Sequence, residues 1–354
     1  SQVLLGKQVF YNAADARMSR DAYISCAICH DDGGHDGRTW DFTDRGEGMR
    51  NTPTLRGRSA MGHGAVHWSA NFDEIQDFEN DMRGPFAGTG FMKDKDFHQG
   101  TTSQTLGDRK TGKSKHLDAM AAYVRSLNKV PSSPYRIKGK LSESAQRGYQ
   151  TFLEKGCYSC HGGTQATDSR VNPFYLNDVG TLSKASGKRL GGDLLGLDTP
   201  SLKGLWSTSP YLHDGSAKTL KDVFVTRNEK KMHGDLSDLG EDQLSDLESF
   251  LLSLDERNSY LLKPDQMKKA LALTQPSSEE KTELIKYQDS VYIFEVAQEE
   301  ILFSEIKVQE QQGGQWKDLE KALFTRRLQQ GKLIYEYTTE QKKLKLRYTI
   351  SPLN

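Results

Sequence analysis

The chain has 354 residues, about twice the length of a common single domain, so the length alone predicts two or three compact units. Hydrophobic residues make up 35% of the chain, and the mean hydropathy is −0.71. No stretch approaches the roughly 18 consecutive apolar residues that a membrane span needs. Lysine plus arginine and aspartate plus glutamate both number 48, so a basic surface that attracts nucleic acid or anionic lipid is not expected.

Residues 1–260 are predicted to form two helical domains, 1–130 and 131–260. The first opens with a helix at 5–10 and closes with a helix whose apolar residues recur at helical spacing: Leu117, Met120, Ala121, Val124 and Leu127. A linker with two prolines follows at 130–134. The second domain contains predicted helices at 142–153, 219–225 and 243–254.

Beyond about residue 256 the pattern changes from helical to β. Strands are predicted at 291–296, 305–308, 333–337 and 343–350, the last with alternating apolar residues on one face: Leu344, Leu346, Tyr348 and Ile350. Residues 280–354 are therefore predicted to be a small β-rich domain. This domain carries no chemical motif, so we expect it to be a packing or docking module. Through it the chain could join a larger assembly.

All four cysteines belong to C-x-x-C-H pentapeptides. The first motif is Cys26-Ala27-Ile28-Cys29-His30, and the second motif is Cys157-Tyr158-Ser159-Cys160-His161. Two thiols at this spacing reach the two vinyl groups of one porphyrin, and the adjacent histidine ligates the iron. A redox dithiol or a zinc site does not require the histidine. The motifs therefore predict two covalently bound haem c groups, on His30 and His161.

Further segments resemble a known family. They are Asn51-Thr52-Pro53-Thr54-Leu55, His67-Trp68 and the run 208–216, which reads TSPYLHDGS. Together with both motifs, they resemble the di-haem cytochrome c peroxidase superfamily, which includes the di-haem enzyme of methylamine utilisation and, more distantly, bacterial rubber oxygenases. The resemblance covers about residues 1–256. It implies a mainly α fold with two cytochrome c-like haem domains in tandem, followed here by the β-rich domain.

The resemblance implies a division of labour between the haems. The haem on His30 would react with peroxide and form high-valent iron, and the haem on His161 would store or relay electrons. Family members place a tryptophan between the two, and Trp68 matches it; a buried core indole is the simpler interpretation. The family also uses a glutamine and a glutamate after the tryptophan, for which Gln76 and Glu79 are the candidates.

Alternatives stay open around these acid–base residues and the sixth iron ligands. Glu74 and Asp81 are further candidates, and a solvated acidic helix face is the simpler interpretation. Gly46 stands where the family places a histidine ligand to the first iron, so an open or water-bound iron is expected. The remaining candidate ligands there are His35, His63 and His67.

The second iron is expected to take a different sixth ligand from that of the peroxidases. Counting fourteen residues from His213, where those enzymes have methionine, gives Arg227. A protonated arginine does not ligate iron. His233 is the preferred ligand and Met232 the second choice. The resemblance also implies a structural calcium ion held by Asn51, Thr208 and Pro210, which would otherwise be turn residues.

Three functional hypotheses follow. The first is a peroxidase-like oxidoreductase that uses hydrogen peroxide or oxygen with an unidentified electron donor or organic substrate. The second is a di-haem electron carrier, and the third is an oxygenase acting on an external organic substrate. Haem attachment to C-x-x-C-H occurs outside the cytoplasm, so a periplasmic or extracellular protein is expected. No signal peptide precedes Ser1, which suggests a processed chain or a fragment of a longer exported protein.

Overall fold

The computed structural model divides the chain into two compact units. It describes residues 1–57, 64–257, 280–288, 290–301, 304–339 and 344–352. The N-terminal unit comprises Ser1–Pro131, Leu182–Leu194 and Ser207–Thr219. The C-terminal unit comprises Ser132–Thr181, Leu195–Trp206 and Leu220–Asn354. None of the helices that the structure describes is long and apolar enough to cross a membrane.

The N-terminal unit is built from short helices joined by long loops. Its helices are α1 (Gln2–Tyr11), α2 (Cys26–Cys29), α3 (Phe78–Arg83), α4 (Asp94–Phe97) and α5 (Lys115–Ser126). Its strands are the antiparallel pairs β1 (Thr39–Phe42) with β2 (Gly48–Asn51) and β4 (Lys188–Arg189) with β5 (Gly192–Asp193). The buried core includes Phe10, Phe72, Met82, Leu117 and Met120.

Helices α1 and α5 meet at a glycine. A Cβ atom on Gly6 would lie 1.8 Å from the carbonyl oxygen of Ala119, so only glycine allows the two backbones this approach. Serine side chains cap both helices: Ser1 Oγ accepts the N–H of Leu4, and Ser114 Oγ accepts the N–H of Leu117.

The C-terminal unit repeats this arrangement. Its helices are α6 (Glu143–Glu154), α7 (Tyr158–His161), α8 (Leu220–Phe224), α9 (Glu241–Leu252) and α10 (Gln298–Ile301). Helix α6 crosses α9 at Gly148, where a Cβ atom would lie 1.9 Å from the carbonyl oxygen of Asp246. The structure thus has helices at each position that the sequence predicted.

Two sheets form the rest of the C-terminal unit. The strands are β3 (Phe174–Asn177), β6 (Lys281–Leu284), β7 (Lys286–Gln288), β8 (Val291–Ala297), β9 (Ser304–Gln312), β10 (Gln315–Asp318), β11 (Leu323–Gln329), β12 (Lys332–Tyr337) and β13 (Leu346–Pro352). Their orders are β10-β9-β13-β6 and β3-β11-β12-β8-β7. Aromatic and aliphatic side chains fill the core they enclose, with Phe294 stacked on Tyr335 and Tyr348 at 4.5 Å between ring centroids.

The β-rich C-terminal region is confirmed, but it is more closely tied to the preceding residues than the sequence suggested. Strand β3, far upstream, joins the five-stranded sheet through parallel pairing with β11. Beyond residue 280, most of the described residues lie in β-strands. The mainly α prediction therefore applies only to the chain before that point. The proposed tandem haem domains and the boundaries 1–130, 131–260 and 280–354 stay predictions.

Candidate haem sites

The first motif forms a single turn of helix, α2, followed by a tight loop. The N–H of His30 donates to the carbonyl oxygen of Cys26 at 3.0 Å, which closes the turn. His30 Nδ1 lies 3.4 Å from the carbonyl oxygen of Gly34. A histidine held through one ring nitrogen presents the other to a metal. Cys26 and Cys29 are free cysteines of intermediate exposure, and thioether attachment of haem requires free thiols.

The second motif lies on α7 and faces a second histidine. The ring centroids of His161 and His233 are 6.2 Å apart. Burial lowers the pKa of His161, and burial together with neighbouring His161 lowers the pKa of His233 to about 4. Both imidazoles are therefore neutral near pH 7, which is the form that ligates a metal. Cys157 and Cys160 are again free thiols.

Asn228 fixes the loop that carries His233, and sequence reasoning missed it. Its side-chain oxygen accepts the N–H of His233 at 3.0 Å, and its amide donates to the carbonyl oxygen of Gly234 at 2.8 Å. Met232, the second-choice ligand, packs instead against Gly180. The signal available in the sequence was Asn228 shortly before Gly234, since asparagine side chains often form hydrogen bonds with nearby backbone groups in turns.

The predicted acid–base residues are all buried and hydrogen-bonded. Glu79 accepts the Nε–H of Arg83 at 2.7 Å and the backbone N–H groups of Phe91 and Met92 at 2.8 and 3.0 Å. Gln76 donates to Asp118 Oδ1 at 2.9 Å, and its own Oε1 is buried without a hydrogen bond within the described residues.

The two further acidic candidates also have partners. Glu74 accepts hydrogen bonds from the backbone N–H of Lys110 and from Thr111. Asp81 pairs with Arg45 at 2.7 Å, and burial raises the pKa of Asp81 above its ordinary range despite that partner.

A buried charged cluster around Glu47 was not predicted from the sequence. Glu47 lies 3.3 Å from Arg50, 3.5 Å from Arg45 and 3.5 Å from His67, and it accepts a hydrogen bond from Asn71. Burial would raise the pKa of Glu47, but His67, Arg45 and Arg50 hold the pKa well below its ordinary value. Arg45 and Arg50 are sequence neighbours of Glu47, but His67 and Asn71 come from another loop, so only the folded chain reveals the whole cluster.

The candidate sixth ligands of the first iron have other contacts. His35 Nε2 lies 2.8 Å from the carbonyl oxygen of Ser207, and its Nδ1 accepts the N–H of Gly37. His67 Nδ1 lies 2.7 Å from Asn71 Oδ1. His63 lies outside the described residues. Gly46 adopts a left-handed conformation, with φ +83°, and has no side chain to offer.

Asn51 lies at the centre of the predicted calcium residues. Its side-chain amide lies 2.6 Å from the carbonyl oxygen of Pro210 and 3.1 Å from that of Leu212, and its Oδ1 is buried without a hydrogen bond within the described residues. Thr208 belongs to the same loop, two residues before Pro210. Amide and carbonyl oxygens suit a hard cation. The backbone carbonyl of Asn51 accepts the indole N–H of Trp68 at 2.9 Å.

Two family models match parts of the chain, and the first match includes the motif at His30. Residues 1–140 match the family model described as di-haem cytochrome c peroxidase, and residues 196–233 match the model described as RoxA-like, cytochrome c-like. The family resemblance found in the sequence is therefore confirmed: the chain is similar to the di-haem cytochrome c peroxidases.

Three relatives show the breadth of this similarity. Hydrazine synthase subunit gamma of Kuenenia stuttgartiensis is 29% identical over 289 residues, 68% of this chain and 74% of that one. Methylamine utilization protein MauG of Methylophilus methylotrophus is 28% identical over 282 residues, 71% and 81% of the two chains. Cytochrome c551 peroxidase of Pseudomonas aeruginosa is 26% identical over 286 residues, 71% and 77%. The family supports a peroxidase-like oxidoreductase that carries haem c.

Proposed function

We propose that the chain is a di-haem c-type oxidoreductase in which the haem on His30 reacts with hydrogen peroxide and the haem on His161 stores and relays electrons. The observation that carries this proposal is that each C-x-x-C-H motif forms a helical turn in a compact unit of its own. When bound, the haems supply one-electron redox chemistry and, at the first site, cleavage of the O–O bond. The shared glycine crossings at Gly6 and Gly148 support two haem domains in tandem.

The second iron would be held by His161 and His233. An iron bound to one nitrogen of each imidazole would need ring centres about 6 Å apart, because each metal–nitrogen bond is about 2 Å long and each ring centre lies about 1 Å beyond its nitrogen. The observed 6.2 Å supports this assignment. Two histidines on one iron would leave no position for a substrate, which suits electron storage.

At the first site, the chain has to hold peroxide and move its proton. Gln76 is assigned to accept a hydrogen bond from peroxide, because its buried Oε1 has none within the described residues. Glu79 is assigned to proton transfer. Three hydrogen bonds already engage its carboxylate, so Asp81, whose pKa burial raises, is the competing candidate.

The calcium ion is proposed to lie at Asn51, Thr208 and Pro210. In this arrangement, Asn51 would turn its Oδ1 toward the ion. Because haem c attachment takes place outside the cytoplasm, we also propose that the protein works in the periplasm or outside the cell. The electron donor or organic substrate and any larger assembly through the C-terminal strands stay predictions.

The central test combines haem counting with spectroscopy. Mass spectrometry of the denatured chain should find two covalent haems, and Cys26→Ala/Cys29→Ala and Cys157→Ala/Cys160→Ala should each retain one. The ferric spectrum should show one high-spin and one low-spin haem, and peroxide should alter the high-spin signal first. Two low-spin haems that ignore peroxide would instead identify an electron carrier. Oxygen-dependent cleavage of an organic substrate without peroxide would identify an oxygenase.

A second experiment separates the two carboxylates. Glu79→Gln should slow the reaction of the ferric protein with peroxide by about 10² to 10⁴-fold if Glu79 transfers the proton. Stopped-flow absorbance measures this rate, with Asp81→Asn as the matched variant. If only Asp81→Asn slows the reaction with peroxide, Asp81 and not Glu79 transfers the proton.

A further inference from the structure

The C-terminal strands reach the second motif through β11. This strand runs parallel to β3, with Arg326 in register with Asn177. Asn177 in turn lies beside the motif, since Cys160 Sγ is 3.7 Å from its side-chain oxygen. The backbone N–H of Asp178 donates to the carbonyl oxygen of Arg326 at 3.1 Å. Strand β11 therefore places Arg326 next to the residues that would hold the second haem.

Arg326 is a buried charge in a tightly defined position. Its residue exposure is 3%, and its guanidinium pairs with the carboxylate of Asp168. The guanidinium carbon lies 4.3 Å from the ring centroid of Tyr175 and 5.5 Å from that of Tyr335. Arg326 Nε and Asp168 Oδ1 are both buried without a hydrogen bond within the described residues. Burying such an ion pair costs free energy, because both charges lose their hydration. We therefore expect the pair to have a function at this place.

Both charges of the pair lie at the second motif. The strand register places Arg326 opposite Asn177, whose side chain contacts Cys160, and the carboxylate of Asp168 pairs with the Arg326 guanidinium. Cys160 and His161 both lie within the electrostatic reach of these two charges.

We propose that the C-terminal β-rich region completes the second haem site by supplying Arg326, and that the Arg326–Asp168 pair sets the reduction potential of that haem. The proposal rests on the proposed function only for the presence of haem on the second motif. Ferric haem carries one more positive charge than ferrous haem, so a nearby cation favours reduction and a nearby anion favours oxidation. As a pair, the two charges largely cancel in their effect on the haem. Removal of either charge leaves the other uncompensated.

Spectroelectrochemical titration of the low-spin haem in the full-length holoprotein tests this proposal. Arg326→Gln should lower the potential, Asp168→Asn should raise it, and the double variant should return close to wild type. Each single change is expected to alter the ratio of reduced to oxidised haem at a fixed potential about tenfold, or about 59 mV for one electron. Arg327→Gln is the matched control. The Arg327 side chain is next to Arg326 in the sequence, but it is 43% exposed and pairs with Glu336.

The outcomes are separable from failure of the proposed function. A denatured chain without haem on Cys157 and Cys160 would overturn the proposed function, whatever the potentials. With haem attached, shifts of the same sign in both single variants, or an equal shift in Arg327→Gln, would overturn the role of the pair. If Arg326→Gln does not fold, Arg326→Lys should keep nearly the wild-type potential while Asp168→Asn still raises it. An unchanged potential in Asp168→Asn would contradict the proposal.

Discussion

His233 is the residue whose replacement most directly tests the second iron site. His233→Ala should convert the low-spin haem to high-spin, because the opposite face of the iron would lose its imidazole. Asn228→Ala should weaken the same ligation by freeing the loop. Electronic absorption and electron paramagnetic resonance measure the spin state. Met232→Leu is the control and should leave the spectrum unchanged, since Met232 packs on Gly180. A high-spin Met232→Leu protein with a low-spin His233→Ala protein would reverse the assignment.

Asp255 gives the C-terminal unit a pH-dependent stability. Its buried carboxylate accepts N–H groups of Ser133 and Arg257 at 2.9 Å and pairs with Arg136 at 3.2 Å. Burial raises the pKa of Asp255, but the hydrogen bonds from Arg257 and Ser133 and the charge of Arg136 outweigh it, so the pKa lies below its ordinary value. The stabilisation is therefore present above the unfolded-state pKa of about 3.9 and is lost as the pH falls through the folded-state pKa.

Urea unfolding at several pH values measures this effect. Between about pH 5 and pH 2, the free energy of unfolding should fall more steeply for wild type than for Asp255→Asn, which has no proton to bind at this position. Equal slopes for the two proteins would show that Asp255 does not contribute.

Individual residues differ in how far the sequence could predict them. The haem cysteines and their histidines follow from local spacing, and His233 follows from counting along the chain. Arg326 and the whole cluster around Glu47 could not be predicted, because some of their partners come from other segments of the chain. In the sequence, Arg326 is one of two adjacent arginines in a strand, and nothing local shows which one is buried.

At the scale of elements, the crossing of α1 and α5 depends on Gly6. Gly6→Ala should lower the free energy of unfolding by about 1–3 kcal/mol, because the added methyl group overlaps the carbonyl of Ala119 and pushes the helices apart. Chemical denaturation measures the loss. Gly192→Ala is a control in the same unit, since its Cβ would meet its nearest neighbour at 3.7 Å. Similar losses in both variants would mean that the helix crossing is not limiting.

Helices and strands with strong internal periodicity were predictable, whereas short strands were not, among them β10 and the distantly paired β3. The pattern of Leu346, Tyr348 and Ile350 identifies β13, and all three side chains are buried as expected. Strand β3 was missed because it is only four residues long and its partner β11 lies in another part of the chain. Parallel strands are not joined by a tight turn, so no local sequence pattern predicts the pairing of β3 with β11.

At the scale of the whole molecule, Trp68 is predicted to couple the two irons. Trp68→Phe should retain both haems and their resting spectra, because phenylalanine fills most of the same space. Peroxide should still oxidise the first haem, but oxidation of the second should be slower, since phenylalanine is not readily oxidised. Stopped-flow spectroscopy at the two haem bands measures both steps. Equal rates in the variant and wild type would leave Trp68 as a partly buried residue that donates to Asn51.

The pairing of Arg326 with Asp168 also has a consequence for the order of biosynthesis. The two residues are 158 positions apart, so the wall of the second site that Arg326 provides is absent while the earlier part of the chain is emerging. Closing so long a loop is also slow compared with forming local helices. The thiols of Cys157 and Cys160 would therefore be open from that side until the last strands fold. Since haem attachment to C-x-x-C-H takes place outside the cytoplasm, we expect haem to be attached to the exported chain before those strands close over the site.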